Sequence, residues 1–243
     1  MTQSDFRYDN STGRGPGRGV RLLGWVVPGV RRVRAQAEPY AAAWRAHNDA
    51  ARHHDGRRWI VLGDSMSQGV GAGSYDAGWV GQLRDRLAEA GHHLVVLNLS
   101  ATGARVTDVV EQQLAAYTSL VPRADDLVTV LIGSNDLFAG GRVRAALPES
   151  FATLLGRLPR ESVVATLPQP RAAARQVNAE ITRAEEAGLV RVVDMRTAGP
   201  DSWRGKVAAD FFHPNEAGYA AIADAFEPVM TLALGSGLRP DGT

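Results

Sequence analysis

The chain has 243 residues, 44% of them hydrophobic, which is enough to bury the core of one domain and carry an extension besides. Its 27 Lys and Arg nearly cancel its 26 Asp and Glu, so no net field steers it to nucleic acid or to an acidic membrane. There is no cysteine, which excludes disulfides, thiol catalysis and thiolate metal sites and leaves the chemistry to oxygen and nitrogen groups.

Residues 1 to about 20 are rich in Gly, Ser, Asn and Arg with hardly any large apolar side chain, so burial cannot repay their ordering and a flexible start is expected. The apolar stretch 22–30 is interrupted by Gly24, Pro28 and Gly29 and is far shorter than the roughly 20 residues that span a bilayer. Arg31, Arg32 and Arg34 follow where a secretion signal should be neutral, although Ala35-Gln36-Ala37 imitates a cleavage site. The chain therefore reads as cytoplasmic. An alanine-rich run over 39–51, with Tyr40 and Trp44 on one face, has helical spacing and ends at Asp55-Gly56.

From residue 58 onward short apolar runs alternate with longer helical patterns. Strands are expected over 59–62, 94–97, 127–132, 162–167 and 189–193, and helices over 78–90, 107–117, 147–158, 171–187 and 215–232. Runs that are nearly continuous in branched apolar residues suit a parallel sheet buried on both faces. Right-handed crossovers then place helices on both sides, giving a three-layer α/β/α sandwich built from five βα units. The expected organisation is an N-terminal extension over 1–57, an α/β domain over 58–235 and a flexible tail over 236–243.

In such a sheet the site lies beyond the carboxyl ends of the strands. The first strand runs into Gly63-Asp64-Ser65-Met66-Ser67-Gln68-Gly69, the second into Asn98-Leu99-Ser100-Ala101-Thr102-Gly103, and the third into Gly133-Ser134-Asn135-Asp136. Asp210-Phe211-Phe212-His213-Pro214-Asn215 precedes the last helix, with Pro214 suited to its first position. A serine hydroxyl needs a base within hydrogen-bond reach, and that base needs a partner to fix its tautomer. Asp210 can accept from Nδ1 of His213 across one turn, leaving Nε2 for the proton of Ser65. Negative charge developing on a carbonyl oxygen would be met by the N–H of Ser65, the N–H of Gly103 and the side-chain amide of Asn135.

These four blocks, in this order, resemble those of the SGNH hydrolases, also called GDSL esterases and lipases, over roughly residues 58–230. The resemblance implies a flavodoxin-like five-stranded sheet and a Ser65-His213-Asp210 triad, with Ser65, Gly103 and Asn135 as oxyanion donors. It also implies a small-molecule ester as substrate and no cofactor or metal. Asp64 is credited in that family with shaping the nucleophile turn, and residues 1–57 fall outside its pattern.

Gly69, Gly71 and Gly73 could suggest a phosphate-binding loop, but no lysine or helix follows them, and a mobile flap beside the nucleophile is expected instead. Glu89 and His92 repeat the Asp210–His213 spacing at a predicted helix end, where a histidine is stabilised by the helix dipole. His47, His53, His54, His92 and His93 are expected to be solvated. Arg142, Arg144, Arg204 and Lys206 are expected in rim loops, and Leu137, Phe138, Trp203, Phe211 and Phe212 as lining for an acyl pocket or, for the last two, as core. Two alternatives carry over: acyl transfer to an alcohol by the same residues, or a binding module attached to a membrane through the segment 22–30.

Overall fold

Strands built on apolar runs must be covered on both faces, and the computed structural model, which describes residues 6–14 and 28–235, has five strands of this kind, each carrying a polar or charged residue. They are β1 (Arg58–Gly63), β2 (Val95–Asn98), β3 (Leu127–Leu131), β4 (Ser162–Ala165) and β5 (Val190–Val193). All pair in parallel in the order β2-β1-β3-β4-β5, with Trp59 opposite both Val96 and Leu127. This is the flavodoxin-like doubly wound order, and the direction of winding reverses between β1 and β3. A crevice is therefore expected beyond the carboxyl ends of those two strands.

Two apolar layers sandwich the sheet. On one face Trp59, Val61 and Val163 pack with helices α2 (Ala37–Ala51), α3 (Trp79–Glu89) and α9 (Glu216–Gly235), through the fully buried Trp44, Trp79 and Phe226. On the other, Ile60, Leu62, Val128 and Val130 meet helices α7 (Gly141–Leu155) and α8 (Ala172–Glu186) and a broken helix over residues 106–119. That broken helix consists of α4 (Val106–Asp108), a π-turn (Val109–Gln113) and α5 (Leu114–Ser119). The first helix of the described chain, α1 (Pro28–Arg34), buries Val30 and Val33, and a five-residue α6 (Ser134–Phe138) follows β3. None of the described helices is long and apolar enough to cross a membrane.

Several elements differ from expectation. The helix expected from residue 147 starts at Gly141, so Pro148, a residue suited to a first turn, lies inside it. Arg142 and Arg144 are accordingly helical, and Arg144 donates to the carbonyls of Leu137 and Ala139, which ties α7 to α6. The last helix begins after Asn215, whose side chain accepts the Gly218 N–H, so Asn215 is the cap and Pro214 stands one residue outside. Residues 6–14, expected to be flexible, pack on the domain: Phe6 joins the core and Asn10 is completely buried. Polar contacts to buried carbonyls hold this stretch, and hydropathy does not register those. The tail 236–243 and residues 22–27 of the apolar stretch lie outside the described residues.

Candidate active site

The turn that carries Ser65 is a single helical turn that leaves β1. The carbonyl of Asp64 accepts the N–H groups of Ser67 and Gln68, that of Ser65 accepts Val70 N–H, and Oδ1 of Asp64 accepts Met66 N–H at 3.0 Å. Gln113 holds the strand end below it, giving its amide to Gly63 O and accepting Gly63 N–H, each at 2.8 Å. The π-turn presents that glutamine to the sheet. Ser65 emerges with 4% of its surface exposed.

Asp210 and His213 are arranged by one compact turn. Oδ1 of Asp210 accepts the N–H groups of Phe212 and His213 at 3.1 and 3.0 Å, while Phe211 adopts the left-handed region with φ +58°. The carboxylate's other oxygen meets His213 Nδ1 at 2.6 Å, and His213 Nε2 lies 2.9 Å from Ser65 Oγ. Three side chains separated by up to 148 positions in the chain thus form one continuous relay. Burial works to raise the Asp210 carboxyl, but the hydrogen bond and charge of His213, with the two N–H donors, outweigh it and hold the group below the usual carboxylate range.

Asp64 is completely buried, and burial pushes its carboxyl up to about 7, against the Met66 N–H and the His213 charge that favour its ionised form. Asp136, whose Oδ2 accepts Val106 N–H at 3.2 Å, is pushed up to about 6, chiefly by burial. Asn135 lies between these groups: its Nδ2 donates to Ala104 O at 2.9 Å and, at 3.4 Å, to Asp64 Oδ2. Among the described residues, the N–H groups of Ser65 and Gly103 form no hydrogen bond. Gly103 has φ +78°, a conformation that disfavours a side chain.

The expected flap is pinned instead of mobile. Gln36 Nε2 and Tyr40 Oη donate to Ala72 O, Gly71 N–H to Gln36 Oε1, Gly73 N–H to Glu216 Oε1, and Tyr219 Oη to Val70 O. Val70 also packs with Val33, Ala208 and Tyr40, and Trp44 Nε1 donates to Gln68 O. Helices α1 and α2 therefore brace the loops that carry Ser65 and His213.

Of the expected pocket residues, Leu137 is core, without exposure, and lines nothing. Phe138, Trp203, Phe211 and Phe212 are exposed, which corrects the core reading of the last two. Phe212 stands edge-on to both His213 and Phe138, with centroids 5.0 and 5.5 Å apart, and the Arg171 guanidinium lies 5.1 Å above the Phe138 ring. Arg204 and Lys206 do lie in a loop. His47 is half-buried rather than solvated: its Nε2 sits 3.2 Å from Val96 O, and burial lowers its pKa.

Sequence reasoning missed Gln68, Asn98, Asn10 and Gln113, all fully buried polar residues that connect the loops. Gln113 did carry a signal, because positions 106, 109, 110, 113, 114 and 117 form one helical face on which it alone is a polar amide among apolar and aromatic residues. Asn98 likewise interrupts an apolar run. Asn10 carries no periodic signal.

A family model described as GDSL-like Lipase/Acylhydrolase family matches residues 61–221. A lipase of Streptomyces rimosus is 40% identical over 84 residues, which cover 32% of this chain and 30% of that protein. Lipase 1 of Streptomyces coelicolor is 32% identical over 147 residues, 58% of this chain and 52% of that one. The chain thus spans about half the length, or less, of the curated relatives it matches. The solved structure of TesA superposes with a TM-score of 0.60 at 21% identity, covering 73% of this chain and 99% of that one. The psychrotrophic esterase EstA of Pseudoalteromonas sp. gives 0.56 at 18% identity, covering 74% and 100%. At such identities the likeness shows a shared fold.

Proposed function

The chain belongs to the GDSL-like lipase/acylhydrolase family, and from that premise we propose that it hydrolyses carboxylic esters through an acyl intermediate on Ser65, with His213 as base and Asp210 as its orienting partner. The observation that carries this reading is the relay from Asp210 Oδ2 through both ring nitrogens of His213 to Ser65 Oγ, at 2.6 and 2.9 Å. These are the distances at which a base and a nucleophile exchange a proton.

In this mechanism Ser65 Oγ attacks the ester carbonyl while its proton passes to His213 Nε2. The carbonyl oxygen becomes an oxyanion, and the N–H groups of Ser65 and Gly103 meet it without giving up existing hydrogen bonds. The Asn135 amide joins them by exchanging its long 3.4 Å contact with Asp64 while keeping its bond to Ala104 O. The carbon–oxygen bond to the alcohol then breaks, and the alcohol leaves with the proton from His213. Water, deprotonated by the same imidazole, attacks the acyl-serine and releases the acid. Asp210 stabilises the imidazolium formed in each step, and its lowered pKa keeps it ionised throughout. The substrate is a small ester, with Phe212 and Phe138 as the apolar surface nearest the base.

Ser65→Ala is the decisive variant. Hydrolysis of a short p-nitrophenyl ester should fall by about three decades or more while the far-UV spectrum is unchanged. Undiminished turnover by the folded variant would overturn the assignment.

A further inference from the structure

Each carbonyl flanking the Gly103 nitrogen and carbon is held by a residue that lies upstream of the family match. Thr12 Oγ1 donates to Thr102 O at 3.2 Å, and Arg14 Nη1 donates to Gly103 O at 3.1 Å. Ser11 pairs with Thr102 in a parallel bridge. The domain's own contacts act on other groups of this loop: Gln68 Oε1 accepts the N–H and hydroxyl of Thr102, Asn98 Oδ1 accepts from Ser100, and Asn135 donates to Ala104 O. Among the described residues, only residues 11–14 reach the carbonyls of Thr102 and Gly103.

Planarity makes this arrangement consequential. The Thr102 carbonyl and the Gly103 N–H belong to one trans peptide, so they point in opposite directions and fixing the oxygen aims the hydrogen. Gly103 is the residue at which such a plane rotates with least resistance, because it lacks a Cβ. The segment is itself firmly seated. Asn10 Nδ2 donates to the carbonyls of Asn98 and Ser100 at 2.7 and 2.9 Å, and Asn10 O accepts from Gln68. Arg14 forms a two-point pair with Asp108 at 2.7 and 3.0 Å, and Asp108 in turn accepts Arg105 N–H at 2.8 Å.

We propose that Thr12 is a positioning residue: its hydroxyl orients the Thr102–Gly103 peptide so that the Gly103 N–H is aimed at the oxyanion, with Asn10 and Arg14 seating the segment that carries it. The inference rests on the esterase reading above and assigns a part of the N-terminal extension to the chemistry. Its consequence is specific. Loss of the Thr12 hydroxyl weakens stabilisation of the tetrahedral state and leaves ester binding and the fold alone.

The test compares Thr12→Val, which is nearly isosteric and has no hydroxyl, with Thr12→Ser, which keeps it, each at a concentration set by active-site titration. Thr12→Val should lower kcat about three- to tenfold, the range that one hydrogen bond's net contribution allows, with KM and melting temperature unchanged. Thr12→Ser should restore most of the loss, and Arg14→Gln should lower kcat in the same sense as Thr12→Val. Wild-type kcat per titrated site in Thr12→Val would overturn the proposal, whatever Arg14→Gln does. Backbone hydrogen exchange over residues 99–108 reads the same contact without substrate: faster exchange in Thr12→Val supports the proposal, and unchanged protection overturns it. Absence of Ser65-dependent hydrolysis in the wild-type chain would instead strike the esterase reading, which keeps the two failures apart.

Discussion

Alanine at position 71 would place a methyl group where the loop that follows Ser65 passes His213. A Cβ there would lie 2.3 Å from Pro214 O, 3.0 Å from His213 Cβ and 3.1 Å from Ala208 Cβ, on a backbone with φ +105°. Ordinary contact begins near 3.4 Å, so the Pro214 carbonyl, and the histidine joined to it, must retreat by about 1 Å. His213 Nε2 and Ser65 Oγ are already 2.9 Å apart, and a further ångström takes them beyond hydrogen-bond range. Displacement on that scale costs about 10²-fold in rate. The left-handed backbone adds about 1–2 kcal/mol of strain, well within the 5–15 kcal/mol that holds a typical domain folded. Gly71→Ala should therefore be folded by circular dichroism, melt several degrees lower and turn over a p-nitrophenyl ester about a hundredfold more slowly. A folded variant with kcat within threefold of wild type would show that the 69–73 loop does not set the position of His213.

At the opposite edge of the sheet, Asp126 should matter for stability alone. Its oxygens meet Arg58 Nε and Nη2 at 2.7 and 2.5 Å, both side chains are almost fully buried, and Tyr117 Oη donates to it as well. Asp126→Ala leaves the guanidinium uncompensated and should cost about 3–5 kcal/mol, read as a lower urea midpoint with an unchanged slope; a loss under about 1 kcal/mol would refute this. Activity per folded molecule should not change. The Asp64 carboxyl gives a pH prediction, because burial raises its folded-state pKa to about 7 from an ordinary value near 3.9. Its contribution to stability is thus fully present below about pH 4 and is lost as pH rises through about 7. Asp64→Asn removes that titration, so wild type should lose stability relative to the variant between pH 4 and 7 and run parallel to it above; parallel curves across the whole range would refute the assignment.

The amino-acid sequence by itself determined the sheet, because short runs rich in β-branched residues favour strands, and such strands are stable when covered on both faces. It also marked one candidate site, since Ser65, Gly103 and Asn135 each follow such a run, and all parallel strands deliver their following loops to one edge. Asp210 and His213 were legible as a pair because one turn suffices to join them. What periodicity could not report was the partner that each buried or half-buried amide and hydroxyl takes, at Asn10, Thr12, Gln68, Asn98 and Gln113, because those partners lie 31 to 90 positions away. A polar side chain acquires such a partner only when the chain closes in three dimensions, and low hydropathy makes it look solvated until then. Residues 6–14 are the clearest case. Apart from Phe6 and Tyr8 they have little to bury, yet the carbonyls at the end of β2 and in the Gly103 loop give them a place, and only the tertiary structure creates those acceptors.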